Sequence, residues 1–222
     1  REVMSRIAVI CGTGMSELTS NYVKSFNSDI SLLRIESEWG EVPISVIEKK
    51  LHRIFILDRH HSSSDYRTPP HMIEHRANIY AIYSCKSDII LSINSVGTMR
   101  NDFPPGDIGI SKDIIDLTQF PWTFYDGDAV HSDRTNLFDY DAIECCYNEL
   151  DCLQKNVVKN LIVAQCVGPQ FETPSEIDAL VKLGADVVGM TLGPEQRLIS
   201  EINIPHVSLV CSSNWAAGRT PG

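Results

Sequence analysis

The chain alternates between short apolar runs and amphipathic stretches, and that alternation sets the expected elements. Ile7-Ala8-Val9-Ile10 is an unbroken apolar run closed by Gly12-Thr13-Gly14, the pattern of a buried strand entering a loop. Residues 43–57 read as two strands joined around Lys49-Lys50, and 88–96 and 106–116 read as two more. From His71 to Lys86 the apolar positions Ile73, Ala77 and Tyr80 recur at helical spacing, which predicts a helix. Another helix is expected near 139–155, then a strand at Leu161-Ile162-Val163-Ala164. Thr173-Pro174-Ser175-Glu176 combines a capping box with proline at the first helical position. The helix it starts has Ile177, Leu180 and Val181 as its apolar face and Gly184 as its stop. A strand at Val187-Val188, a helix from Pro194 and a strand over 206–211 complete the series.

The expected fold class is α/β: a single domain, residues 1–222, with a twisted mixed β-sheet flanked by helices. No repeat or low-complexity linker divides the chain. Such sheets carry function at strand ends, and the unusual residues gather there. Gly12-Thr13-Gly14, Asn94-Ser95-Val96-Gly97, Gly168-Pro169, Met190-Thr191 and Asn214 all follow or end apolar strands. One such group closes a turn; five together point to a shared pocket.

Composition then removes whole classes of partner. With 43% apolar and 22% charged residues the chain is an ordinary globular sequence. A net charge of −10 argues against nucleic acid, while a few local donors can still hold a small anion. No apolar run approaches the roughly twenty residues of a membrane span. Arg1-Glu2-Val3-Met4 leads into a strand without a signal-peptide pattern, so a cytoplasmic protein with no membrane partner is expected. The seven cysteines include no CxxC pair, and Cys145, Cys146 and Cys152 cluster on a helix without nearby histidines. No metal is expected there, and the thiols are expected to be reduced and mostly buried.

The Gly-Thr-Gly loop offers backbone N–H groups and a hydroxyl, the parts of a phosphate nest. It lacks the later glycine of a dinucleotide fingerprint and the lysine of a P-loop. Arg59-His60-His61, closing Ile54-Phe55-Ile56-Leu57, supplies a guanidinium fork that suits phosphate. Nucleophilic catalysis by the protein has little support: there is no Gly-x-Ser-x-Gly elbow and no cysteine in a catalytic context.

Taken in order, these segments resemble the purine nucleoside phosphorylases, in the branch of the methylthioadenosine and methylthioinosine phosphorylases. The matching stretches are Gly12-Thr13-Gly14, Arg59-His60, Arg76-Ala77-Asn78, Asn94-Ser95-Val96-Gly97 and Pro105-Gly106-Asp107-Ile108. They continue with Phe124-Tyr125-Asp126-Gly127, residues 168–173, residues 184–191, Pro194-Glu195 and residues 213–218. The resemblance implies phosphorolysis, in which phosphate attacks the ribosyl C1′ and the purine leaves. It implies inorganic phosphate as co-substrate, no further cofactor and no metal. It places phosphate on Thr13, Arg59, His60, the Ser95 backbone and Thr191, the sugar over Met190, and the base against Phe171. It also implies a homo-oligomer, a trimer or hexamer, in which a neighbouring subunit contributes His131 to the pocket of the 5′ substituent. Relatives carry a further helix over the sugar beyond the position of Gly222.

Base choice follows from donor and acceptor chemistry. Glu172 only accepts, so it suits the N1–H of a 6-oxopurine, and Asn214 can donate to N7 or O6. Adenine would set its N1 lone pair against the carboxylate, a mismatch of roughly 1–3 kcal/mol. Adenine-selective relatives have serine at the position of Glu172 and aspartates at those of Asn214 and Ala216. The expected activity is therefore cleavage of inosine, guanosine or 5′-methylthioinosine, with catalytic roles for Glu172 and Asn214. The alternatives are a methylthioadenosine phosphorylase and, from another class, a catalytically impaired nucleoside-binding protein. The latter is suggested by the unusual 61–75 region, where Glu74-His75 replaces the family's Asn-Tyr. In that region His61 either replaces a missing phosphate donor or belongs to a rearranged loop.

Overall fold

The structure is a computed structural model that describes residues 4–13, 17, 20–21, 24–25 and 29–220. Gly14 lies outside them. The strands are β1 (Ser5–Cys11), β2 (Asp29–Ser37), β3 (Gly40–Lys49), β4 (His52–Asp58), β5 (Ile89–Thr98), β6 (Ile108–Asp116), β7 (Leu161–Gln165), β8 (Val187–Gly189) and β9 (His206–Trp215). The helices are α1 (His75–Ser84), α2 (Tyr140–Leu153), α3 (Pro174–Lys182) and α4 (Leu192–Ile202). Among the described residues no helix is long and apolar enough to cross a membrane.

Among the described residues all nine strands join one mixed sheet in the order β2-β3-β4-β1-β5-β8-β7-β6-β9. The sheet does not stay open. β9 pairs with β6 on one side and returns to pair with β5 along 90–98, so β5, β8, β7, β6 and β9 close into a ring. Val96, Phe103, Leu161, Val163, Val187, Leu192 and Val210 form one buried cluster of this half. In the open half, alternation sends Ala8 and Ile10 of β1 to one face and Val9 and Cys11 to the other. The first face packs against Ala77, Ile79, Ala81 and Ile82 of α1 and Leu198 and Ile199 of α4.

Several boundaries differ from the periodicity for local reasons. Residues 70–72 form a short 3-10 turn, Ile73 is extended, and α1 begins only after Glu74, whose side chain accepts from the Arg76 N–H. The α3 start is as expected: Thr173 and Glu176 make both capping-box bonds. α4 begins at Leu192, which puts Pro194 in the first turn, where its missing N–H has no helical partner to lose. β2 was not announced by the pattern. It pairs only with β3 at the sheet edge, and Ile30 and Leu32 stand 50% and 59% exposed. The cysteines are free, but only Cys11 and Cys85 are buried, while Cys145 and Cys152 are exposed. The latter two lie on the outer side of α2, which buries only Leu150 fully.

Two histidines are sealed in neutral form. Burial pushes His75 and His206 from 6.5 down to about 3, with the nearby Arg59 and His60 charges adding to the effect at His75. The unfolded chain binds protons at these sites below pH 6.5 and the folded chain does not. Stability is therefore complete above pH 6.5 and lost progressively as pH falls toward 3, by on the order of 4 kcal/mol per histidine. Urea titrations across this range should show that slope, and His75→Phe should flatten it.

Candidate functional site

A cavity of about 380 Å³ opens where β5 exchanges one neighbour for another. β1 pairs with β5 only as far as Ser92, and β8 takes over at Gly97. Along 93–96 that side of β5 has no strand partner, and its backbone faces a crevice. Ser95, Val96 and Gly97 line the cavity, with Thr13 from the end of β1 and Arg59 and His60 from the end of β4. Phe171, Glu172, Met190 and Thr191 complete the approach from the other loops, and Asn214 from the end of β9.

Arg59 occupies the fork itself and is only 2% exposed. Its Nη1 donates to the Ile93 carbonyl (2.8 Å) and its Nη2 to the Ile10 carbonyl (3.2 Å), so it satisfies backbone that the parting strands leave open. Nε and Nη2 also clasp the buried Glu195 carboxylate. The guanidinium fork expected to grip phosphate is thus engaged by Glu195. Of five N–H bonds, one on Nη1 is left. The guanidinium can sit there because residue 12 is glycine: a Cβ would fall 2.6 Å from Nη1 and 3.1 Å from the His60 ring.

The remaining anion donors are prepared by their neighbours. Asn94 Nδ2 donates to Thr191 Oγ1 (2.7 Å), which leaves the threonine its own proton to give. Thr191 precedes α4 without capping it, so the helix N-terminus adds its dipole to an anion here. Ser95 Oγ donates to the Thr13 carbonyl (3.1 Å) and fastens that loop. His60 is different: its Nδ1 donates to the Thr68 carbonyl (2.8 Å) and burial holds its pKa below the usual value, so the Nε2 of the neutral ring is an acceptor, fit to take a hydrogen bond from a protonated phosphate oxygen. His61 is not a substitute donor: its Nε2 bonds Asn78 Oδ1 (2.7 Å), and Asn78 in turn donates to the Arg59 carbonyl (3.3 Å).

At the other end, Glu172 is half-buried and Phe171 is 78% exposed. Asn214 reaches the cavity through a β-bulge: Val96 faces Ser212 but Gly97 faces Asn214, so Ser213 is an extra residue. Ser213 Oγ donates to Asn214 Oδ1 (2.8 Å), and Asn214 Nδ2 donates to the Trp215 carbonyl (3.0 Å). The amide orientation is therefore pinned, with one N–H left to offer. Gly168 backs Met190, since a Cβ there would run into the thioether sulfur. His131 is exposed and does not line this cavity.

Of the strand-end groups singled out by sequence, all but Gly168-Pro169 contribute lining residues: Thr13, Ser95 to Gly97, Met190-Thr191 and Asn214. Sequence reasoning placed Asn94 and Glu195 in the matching stretches but gave neither a role, and it missed the contact that requires Gly12. The available signal was polar: Ser92 and Asn94 interrupt an apolar strand at alternate positions. Nearby thiols are not nucleophiles. Cys166 is pushed up to about 12 by burial and then by the Glu172 carboxylate, and burial raises Cys11 to about 11.

The sequence model described as "Phosphorylase superfamily" matches residues 6–222. The chain belongs to this superfamily. It is 33% identical to the "6-oxopurine nucleoside phosphorylase" of Pyrococcus furiosus, over 98% of this chain and 82% of the relative. It is 34% identical to the "Probable S-methyl-5'-thioinosine phosphorylase" of Methanopyrus kandleri, over 97% and 80%. A methylthioadenosine phosphorylase from an antarctic soil metagenomic library superposes with a TM-score of 0.82 at 25% identity, over 97% of this chain and 75% of that one. The Schistosoma mansoni methylthioadenosine phosphorylase gives 0.85 at 20% identity, over 97% and 83%, a likeness of fold.

The Gly12 contact gives a direct test of the phosphate roles expected of Arg59 and His60. Gly12→Ala should raise the Kd for inorganic phosphate at least about tenfold by displacing Arg59 and His60. Isothermal titration calorimetry measures it.

Proposed function

We propose that the protein is a purine nucleoside phosphorylase selective for 6-oxopurines, acting on inosine, guanosine or 5′-methylthioinosine. The observation that carries this reading is the polarity of the base end: Glu172 can only accept, while Asn214 has its oxygen engaged and one N–H free. A 6-oxopurine matches both, through N1–H and through N7 or O6. The named activities of the Pyrococcus and Methanopyrus relatives agree with it.

In the proposed reaction a phosphate oxygen forms a bond to C1′ as the C1′–N9 bond breaks and its electron pair passes to the purine. Thr13, Arg59, the Ser95 backbone and Thr191 donate to the phosphate beside the cation-like ribosyl centre, supplying orientation and fixed dipoles, and His60 Nε2 accepts from a protonated phosphate oxygen. Asn214 donates a hydrogen bond to the departing base, whose negative charge it stabilises. Met190 lies under the sugar and Phe171 against the base. No protein nucleophile is required, in keeping with thiols that stay protonated. The co-substrate is inorganic phosphate.

We further propose a homo-oligomer in which His131 serves a neighbouring copy's site. Support comes from apolar side chains left on the surface: Phe171 at the cavity, 78% exposed, and Phe120 and Val167, 56% and 62% exposed, in a neighbouring hollow that shares Pro70 and Met190 with it.

The deciding experiment is a panel of inosine, guanosine, methylthioinosine and methylthioadenosine, each with and without phosphate. The 6-oxopurine nucleosides should win by about tenfold or more in kcat/KM and only with phosphate present. Methylthioadenosine in first place would overturn the base assignment, and purine binding without release of base would favour a binding protein. Asn214→Asp should lower activity on inosine and narrow its margin over adenosine, read from the same kinetics.

A further inference from the structure

α4 and β5 meet along a polar seam inside an otherwise apolar interface. Ser92 and Asn94 are two residues apart on β5, about 6.7 Å, and so share a face. Thr191 and Glu195 are four apart at the start of α4, about 6 Å, and share a side of the helix. The two spacings match, and each strand residue bonds one helix residue: Asn94 to Thr191 (2.7 Å) and Ser92 to Glu195 Oε2 (3.3 Å). The first bond prepares a phosphate donor directly. The second acts one step further away, because Glu195 is what holds Arg59.

The chain does not stop at Ser92. Its Oγ lies 2.7 Å from Nε2 of His206, at the start of β9. Glu195, paired with Arg59, can only accept, so the single hydroxyl proton of Ser92 goes to the carboxylate. His206 must then carry its proton on Nε2 and donate it to Ser92. This tautomer is imposed by the contacts, and Nδ1 has no hydrogen-bond partner among the described residues. All four groups are nearly sealed, at 2% exposure for Arg59, 1% for Glu195, 0% for Ser92 and 2% for His206. Burial keeps His206 neutral, so no second cation competes with Arg59 for the carboxylate.

We propose that His206, Ser92 and Glu195 are positioning residues for phosphate, a buried donor chain that fixes the Arg59 guanidinium so that its last Nη1–H faces the cavity. The role rests on the phosphorylase reading above. A charge that merely neutralised Arg59 would not need this chain: removing Ser92 would leave the ion pair and the anion site as they were. A chain that aims the guanidinium makes a different demand. Loosening any link lets the carboxylate swing, and the guanidinium swings with it, so phosphate is affected and the nucleoside is not.

The test compares Ser92→Ala, His206→Phe and His206→Gln with the wild type. It reads the Kd for inorganic phosphate by calorimetry, the KM for phosphate and for nucleoside, and the thermal midpoint. Ser92→Ala should raise both phosphate constants about three- to tenfold, with the nucleoside KM within about twofold, and should lower the thermal midpoint by a few degrees, because the buried His206 Nε2–H loses its acceptor. His206→Gln, which keeps an N–H near the Nε2 position, should lie closer to wild type than His206→Phe. If His206→Phe does not fold, Ser92→Ala and His206→Gln decide the matter. Unchanged phosphate constants in Ser92→Ala, or phosphate and nucleoside constants rising together, overturn the proposal. A wild type that binds phosphate without cleaving nucleosides overturns the phosphorylase reading, and the Kd series still judges the chain. A wild type that binds no phosphate overturns both.

Discussion

The site depends on one buried guanidinium at the place where the sheet divides. A strand that exchanges neighbours must leave backbone carbonyls without ladder partners, and Arg59 answers that need at Ile10 and Ile93. Carrying a charge into that position requires a counter-charge, which is Glu195 on the first turn of α4. Such a pair adds little net stability over an apolar pair of the same shape. Breaking it by removing one partner costs roughly 3–5 kcal/mol, because the other charge is left buried and alone. Arg59 is therefore held by the fold first, and its contribution to an anion site is whatever the fold leaves over.

That ordering explains how a chain of net charge −10 can hold a phosphate. Arg59 and Glu195 cancel, and burial holds the His60 pKa below its usual value, so the pocket does not work as a basic patch. In the proposed site the attraction comes from aimed dipoles: a hydroxyl whose acceptor side is already satisfied, a helix N-terminus, and one N–H of a fixed guanidinium. Dipoles already in place need no rearrangement when the ribosyl centre gains positive charge between the phosphate and the leaving base. The closed half of the sheet supplies the stiffness, since β5 is bound by β9 along its length and by β8 at its end.

Most of the fold was legible because its signals were local. The capping box at Thr173, the apolar runs of β1, β7 and β9, and the paired strands around Lys49-Lys50 are all written in neighbouring residues. β2 escaped because an edge strand buries little and so carries a weak pattern. Closure of the ring was not readable, since it depends on β9 pairing with strands far from it in sequence. The cavity-lining residues could be found from strand ends and family resemblance. What each lining residue is free to do could not. Arg59 reads as a fork in sequence and has one N–H to give in the structure, and His61 reads as a donor and faces Asn78. Those differences are set by partners 17 to 136 positions away.

The bulge at Ser213 has a genetic consequence. Deleting one residue between 206 and 213 would heal the β5–β9 ladder into regular pairing, which by itself favours folding. Asn214 would still stand opposite Gly97, but Ser213 would be lost or drawn into the ladder opposite Val96, on the other face from Asn214. Either way the hydroxyl that engages the amide oxygen is gone. The length of this segment is therefore under a constraint that substitution data would not reveal. In-frame loss of a single codon here would leave a protein that folds well and an Asn214 amide free to turn over.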